Sequence, residues 1–294
     1  MKVLVFGASG FIGRNVCKEL EKDHKIIRVT KEATEDGVRG EQSDLLDRDS
    51  VLSVLKKASP EVVINCAGIV NAATDTDLNV QFTKNILEQS RGVESIGKII
   101  VCGSASEYGL VSPENIPVNE STPLNAESGY GLSKLNEERF ATDYGKKHNI
   151  QVVVLRIFNP IGKGMADKFL LTKLLNQVQA LRAGERDSVE VTRLDSKRDY
   201  VSIKDVALAF RAVVDKNPNE SIYNVGSGVS TTNGELLELI LKNSKLDSMP
   251  KIIETSNKVE PLVAIQADIT RISNEFGWHP MSTTNEEIRE IVQS

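Results

Sequence analysis

Lys2-Val3-Leu4-Val5-Phe6 runs directly into Gly7-Ala8-Ser9-Gly10-Phe11-Ile12-Gly13, and this stretch, KVLVFGASGFIG at residues 2–13, decides the fold. Its first five residues have the apolar, β-branched content of a buried strand. Ile12, Val16 and Leu20 then recur on one face, which predicts a helix over Ile12–Leu20. Three glycines lie between, spaced G-x-x-G-x-x-G. Gly7 permits the tight turn, Gly10 lets the backbone approach a pyrophosphate, and Gly13 permits close helix–strand packing. The helix N-terminus meets the phosphate charge, so Gly7, Ser9, Gly10, Phe11, Ile12 and Gly13 read as the seat of a dinucleotide.

The rest of the first half repeats this alternation. Strands are predicted at Lys25–Thr30, Glu61–Asn65, Lys98–Cys102 and Val152–Phe158, and helices at Val51–Lys57, Leu78–Gln89 and Lys134–Lys147. Apolar runs such as VVIN, KIIVC and VVVLRI indicate strands covered on both faces. The alternation predicts an α/β fold, a doubly wound parallel sheet of Rossmann type. After Asn159 helical pieces (Phe169–Leu181, Ile203–Val214, Gly234–Lys242) alternate with polar loops and short strands such as Val189–Arg193. Two units are expected: a dinucleotide-binding domain at 1–159 and a smaller substrate-binding α/β cap at 160–294, with about 201–225 returning to the first.

With 294 residues, 40% apolar and 26% charged, the composition is that of an ordinary folded protein. A net charge of −5 argues against nucleic acid or an anionic membrane as partner, and an anionic substrate would need a local Lys or Arg cluster. No stretch approaches the roughly 20 apolar residues of a membrane span. MKVLVFGASG reaches glycine too early for a secretory leader, so a cytoplasmic protein is expected. Cys17, Cys66 and Cys102 lack metal-ligand spacing and read as reduced thiols; no metal site is expected. His24, His148 and His279 read as surface or structural residues, and Trp278 as a packing anchor for the last helix.

Beyond the glycine loop, the second strand ends Arg28-Val29-Thr30-Lys31, without the acid that would grip an adenine-ribose 2′-hydroxyl. A hydroxyl followed by a cation suits a 2′-phosphate, which favours NADP over NAD; otherwise Lys31 is a solvated loop residue. Tyr130-Gly131-Leu132-Ser133-Lys134 sets a phenol and an ammonium on one face at a helix start. A free phenol titrates near about 10, and an adjacent ammonium lowers that value. Upstream, Val101-Cys102-Gly103-Ser104-Ala105-Ser106 leaves a buried strand and supplies the Ser104 hydroxyl. Ser104 would hold a substrate oxygen while Tyr130 donates or takes its proton.

The ordered set GASGFIG, Asp44-Leu45, NCAG (65–68), SASEYG (104–109), YGLSK (130–134), LRIFNPIG (155–162), RDYV (198–201), YNVGSG (223–228) and FGWHP (276–280) resembles the extended short-chain dehydrogenase/reductase family over nearly the whole chain. That family comprises sugar-nucleotide epimerases, dehydratases and 4-keto reductases. The resemblance implies a catalytic Ser104, Tyr130 and Lys134, with Asn79 supporting the lysine through water. It implies that Asp44 and Leu45 flank the adenine, and that Ala67, Gly68, Tyr130 and Lys134 line the cofactor. Ser104, Ser106, Asn159, Lys168 and Arg198 would meet the substrate. In the family's dehydratases an acidic pair follows the catalytic hydroxyl; here Ala105 and Ser106 stand there, so elimination lacks its proton carriers. GSASEYG with FNPIGKGM is most similar to reductases of GDP-linked 4-keto-6-deoxyhexoses, with an NAD-dependent epimerase or a non-catalytic dinucleotide sensor as alternatives. A homodimer is implied, its helix being the Glu137–Lys147 stretch with Leu135, Phe140 and Tyr144 at helical spacing, unless that face is merely solvated. In an acidic chain a diphosphate needs a local cation, and Lys197-Arg198-Asp199-Tyr200 supplies one, with Asn159 as a neutral donor. Alternatively, Arg198 pairs with Asp199 or Asp205 and steadies the cap.

Overall fold

The computed structural model describes residues 1–32, 40–70, 78–127, 129–246, 248–255 and 264–293. The first half runs β1 (Lys2–Phe6), α1 (Phe11–Leu20), β2 (Lys25–Thr30), β3 (Glu41–Gln42), α2 (Arg48–Ala58), β4 (Val62–Asn65), α3 (Leu78–Ser90), β5 (Lys98–Ser104), α4 (Gly129–His148) and β6 (Gln151–Ile157). It continues with β7 (Asn159–Ile161), α5 (Leu170–Arg182), β8 (Ser188–Val191), β9 (Lys197–Ser202), α6 (Ile203–Asp215), β10 (Ile222–Val225), β11 (Ser230–Thr232), α7 (Asn233–Asn243), β12 (Lys251–Glu254), α8 (Thr270–Phe276) and α9 (Thr284–Gln293).

The main sheet has the order β10-β6-β5-β4-β1-β2-β3, and its pairings are parallel. Alternation along β1 shows why its sequence is apolar throughout. Val3 and Val5 enter a core shared with α1 and α6, through Val16, Leu20, Phe210 and Val213. Leu4 and Phe6 enter a second core on the opposite face, with Val51, Leu55, Ile86, Leu87 and Ala141 of α2, α3 and α4. Chain direction across the sheet reverses between β1 and β4, so the crevice of a doubly wound fold opens at the C-terminal ends of these two strands.

Segment 203–225 rejoins this layer: α6 packs beside α1, and β10 extends the sheet next to β6. Lys98, at the foot of β5, fixes the far end of α6. Its buried ammonium donates to the carbonyls of Val213 (2.7 Å), Val214 (3.2 Å) and Lys216 (2.6 Å), which the helix itself leaves without partners. The cap consists of β7, β9 and β11 in one small sheet and β8 and β12 in another, with α5, α7 and α9 around a third core that includes Leu174, Val189, Leu236, Ile240 and Ile288.

Several boundaries depart from the sequence expectation. Helix α4 begins at Gly129 rather than Lys134, which puts Tyr130 in its first turn. The strand expected to reach Arg193 stops at Val191, and Arg193 itself takes the left-handed φ of 50°. Trp278 anchors α6 instead of the last helix: its ring lies in the α1–α6 core and its indole N–H donates to the Asp205 carbonyl at 3.1 Å. Phe140 and Tyr144 pack against the chain's own second core, and His148 stacks on Tyr144 with ring centres 4.3 Å apart. His24 pairs with Asp215 at 2.8 Å. Cys17, Cys66 and Cys102 are free thiols, and among the described residues no cluster of His, Cys, Asp or Glu could hold a metal.

Candidate active site

The glycine loop closes where two of its glycines leave no room for a side chain. Gly7 has φ +71°, and a β-carbon there would lie 2.5 Å from the Ala67 nitrogen. A β-carbon on Gly13 would lie 2.1 Å from the Gly7 carbonyl oxygen, so α1 can approach the end of β1 only without one. Ser9 and Gly10 are exposed, Phe11 and Ile12 half-buried. Helix α1 has no side-chain cap and no acid in its first turn, so its leading N–H groups suit a bound phosphate. Arg14 follows at once. It lies over the Phe11 ring at 5.6 Å and donates to the Gly164 carbonyl across the crevice at 2.5 Å. Sequence reasoning passed over it, although an arginine directly after the third glycine was a legible signal.

At the next strand ends, Ala67 N–H donates to Asn65 Oδ1 at 3.0 Å, and Gly68 is exposed. Buried Asn79 accepts from Ile69 N–H at 2.8 Å and donates to the Ile69 carbonyl (3.2 Å) and to Ser133 Oγ (3.1 Å). It therefore pins the loop after β4 to α4. Leu45 is buried on the second core, and Asp44 accepts from Leu46 N–H at 3.0 Å. At the edge of the crevice the Thr30 hydroxyl donates to the Glu32 carbonyl at 2.7 Å, while Lys31 is exposed.

Ser104 ends β5 and caps a short 3-10 turn, Ala105–Tyr108. Its hydroxyl accepts from Ser106 N–H at 3.2 Å and lies 2.7 Å from Ser106 Oγ. Burial pushes the Tyr130 phenol above its ordinary value, against the pull of Lys134 and of a hydrogen bond with Ser104. In this arrangement burial outweighs the ammonium, the reverse of the balance expected from sequence. The Lys134 ammonium donates to the Cys102 carbonyl at 2.5 Å and to the Glu137 carboxylate. Burial pulls Lys134 down, yet Glu137 and Tyr130 beside it outweigh burial and hold it charged.

Two carboxylates that sequence reasoning missed complete the site. Glu137, 1% exposed, also accepts from Thr83 Oγ at 2.5 Å, and Thr83 in turn accepts from Asn65 Nδ2 at 2.8 Å. Glu107, wholly buried, accepts from Ser104 N–H at 2.7 Å and so fixes the strand end that presents the serine. Burial and the neighbouring Glu138 push the Glu107 carboxyl well above the carboxylate range. Their signals were slight: Glu137 stands one helical turn after Lys134, and Glu107 three residues after Ser104, the spacing of a capping box.

The expected substrate residues gather less tightly. Asn159 donates to the Asp199 carbonyl at 3.0 Å, beside Arg198 on the adjoining strand β9. Asp199 is not Arg198's partner: its carboxylate accepts from Ser227 N–H (2.6 Å), Ser227 Oγ (2.7 Å), Gly228 N–H (3.0 Å) and Ala267 N–H (3.0 Å). Asp205 is likewise occupied, by the N–H groups of Met281 and Ser282, each at 3.0 Å. Lys168 is exposed and lies over the Phe169 ring at 5.5 Å.

Residues 3–226 match the model of the NAD dependent epimerase/dehydratase family. GDP-6-deoxy-D-mannose reductase of Pseudomonas aeruginosa is 25% identical, over 99% of this chain and 96% of the relative. UDP-glucose 4-epimerase of Bacillus subtilis is also 25% identical, over 95% of this chain and 92% of the relative. A solved structure of RMD from Pseudomonas aeruginosa complexed with NADPH shares the fold, with a TM-score of 0.87 at 24% identity over 99% of this chain and 97% of that one. With three quarters of its length under one family model and its site built on the same frame, the chain belongs to the NAD dependent epimerase/dehydratase family and is an NAD(P)-dependent enzyme of the extended short-chain dehydrogenase/reductase type.

Proposed function

We propose that the protein is an NADP(H)-dependent reductase of a nucleotide-activated 4-keto sugar, with Tyr130 as proton donor. One observation carries this reading: Ser104 ends β5 within reach of Tyr130, and the two positions after it hold no carboxylate, only buried Ala105 and half-buried Ser106, whose hydroxyl lies 2.7 Å from Ser104 Oγ. That chemistry can polarise and protonate a carbonyl oxygen but has no acid–base pair for expelling water.

A dinucleotide fits the crevice: Gly7 and Gly13 leave room for close backbone approach, and the uncapped start of α1 offers N–H donors to its pyrophosphate. When bound, the reduced nicotinamide supplies a hydride to the substrate's carbonyl carbon. Ser104 holds the carbonyl oxygen, and Tyr130 gives it the phenolic proton. Lys134 stabilises the phenolate left behind. Two of its three N–H donors are used by Cys102 and Glu137, and the third remains for a cofactor hydroxyl. Solvent then restores the proton to Tyr130. Thr30 and Lys31 favour the 2′-phosphate of NADP, Arg198 with Asn159 is the substrate diphosphate clamp, and Lys168 is a further substrate contact. The reading includes a homodimer.

The test is oxidation of NADPH with a panel of 4-keto sugar nucleotides, for wild type and Tyr130→Phe. Loss of the general acid should cost about 10²–10⁴ in rate with cofactor still bound. A Tyr130→Phe protein within about threefold of wild type would sink the assignment, since that is far below the general-acid range.

A further inference from the structure

Lys134 sits in an enclosed environment with little negative charge. From β5 it faces the Cys102 carbonyl and thiol, from the end of β4 the Cys66 thiol, from the turn after β5 the Glu107 carboxyl, and on its own helix Tyr130 and Glu137. Helix α3 contributes uncharged Thr83 and Asn79 to this cluster. Burial raises the Cys102 thiol to about 11 and Cys66 well above its ordinary value, so both are neutral at physiological pH. Burial and Glu138 push the Glu107 carboxyl up, and its carboxylate oxygen is turned to Arg156 Nε at 3.5 Å; burial pushes Glu137 up as well, but against the pull of Lys134 and Thr83 beside it. That leaves Glu137, fixed by the Thr83 hydroxyl and in contact with the ammonium, as the counter-charge.

We propose that Glu137 is a positioning residue, which holds Lys134 against the end of β5 and, as its counter-charge, sets the pH range over which Tyr130 keeps its transferable proton. The inference rests on the reading of Tyr130 as proton donor. Without the carboxylate the ammonium's field on the phenol is uncompensated and the phenol ionises at lower pH. The lower ionisation pH of the phenol moves the alkaline loss of ketone reduction toward neutral pH.

Glu137→Gln tests this, because glutamine keeps the shape and can still accept from Thr83. Tyr130 ionisation is read by ultraviolet difference titration, each protein against the same protein carrying Tyr130→Phe, which needs no substrate. The midpoint should fall by about one pH unit, equivalent to about 1.4 kcal/mol, and the alkaline limb of kcat/KM should move with it. If Glu137→Gln does not fold, Thr83→Val, which removes the hydroxyl steadying the same carboxylate, should shift the midpoint in the same direction by less. A midpoint that stays at the wild-type value in a folded variant overturns the inference. The two readings fail separately: full turnover by Tyr130→Phe breaks the assignment of the proton donor, whereas an inactive Tyr130→Phe with an unmoved Glu137→Gln midpoint breaks only the role of Glu137.

Discussion

Glu137 and Glu138 are consecutive and both buried on α4, yet they serve different partners. Glu138 grips the Arg156 guanidinium at two points, 2.7 and 2.6 Å. The other end of that guanidinium donates to the Tyr108 hydroxyl (2.9 Å) and the Glu120 carbonyl (3.2 Å), with the Tyr108 ring 5.0 Å away. Its planar fork is engaged on both sides, so this ion pair is scaffold, joining α4, β6 and the turn that carries Ser104. Glu137 instead holds a lysine, a compact charge on a flexible stem with a donor to spare. The difference teaches that buried charge of one kind locks the frame, and buried charge of another keeps a working group adjustable.

Arg156→Met would break the comparison most forcefully. It strands two buried carboxyls without their cation, and such a loss costs about 3–5 kcal/mol. Urea unfolding should show it as a large drop in midpoint, while Glu137→Gln, which strands a single charge and leaves an uncharged acceptor beside it, should lose less. Equal losses for the two variants would erase the distinction between scaffold and site.

Arg198→Met extends the comparison to a cap cation for which the described residues show no carboxylate partner. The substrate KM and the nucleoside-diphosphate Kd should weaken together by about tenfold or more, the scale of one charge-assisted contact. NADPH affinity should hardly move. Unchanged nucleoside-diphosphate affinity in the folded variant would return Arg198 to a structural role.

The smallest effect is expected at Lys31, where water screens the charge. Titration of both reduced cofactors should favour NADPH, and Lys31→Ala should narrow the gap by up to about tenfold, the lower end for a charge-assisted contact. Equal or better NADH affinity in the wild type would contradict the 2′-phosphate reading.

Local pattern carried far in this chain. Strands β1 and β2 lie where their β-branched runs placed them, and the crowding at Gly7 and Gly13 is what a glycine triplet at a strand–helix turn demands. The places of Ser104 at the end of β5 and of Tyr130 and Lys134 at the start of α4 were legible because short, ordered motifs carry them. Glu137 was not, because Leu135-Asn136-Glu137-Glu138-Arg139 has the composition of a solvated helix face. Its partner Thr83 sits 54 positions away, on a helix whose sequence shows only amphipathic spacing. The expected helix at Lys134–Lys147 begins earlier for a related reason: Gly129 and Gly131 have low helix propensity, and packing against α3 and the turn after β5 extends α4 across them.

By itself, then, the sequence determined the periodic and the steric: which runs are strands, where the backbone must turn without a side chain, and which hydroxyl, phenol and amine stand at strand and helix ends. These follow from near neighbours, whose spacing is written in the chain. Tertiary structure alone decided which charges meet. Glu137 with Lys134, Glu138 with Arg156 and Asp199 with the 227–228 turn are choices among many possible partners. Each is fixed only when folding removes water, because a buried charge must take whichever complementary group the packed elements bring within reach.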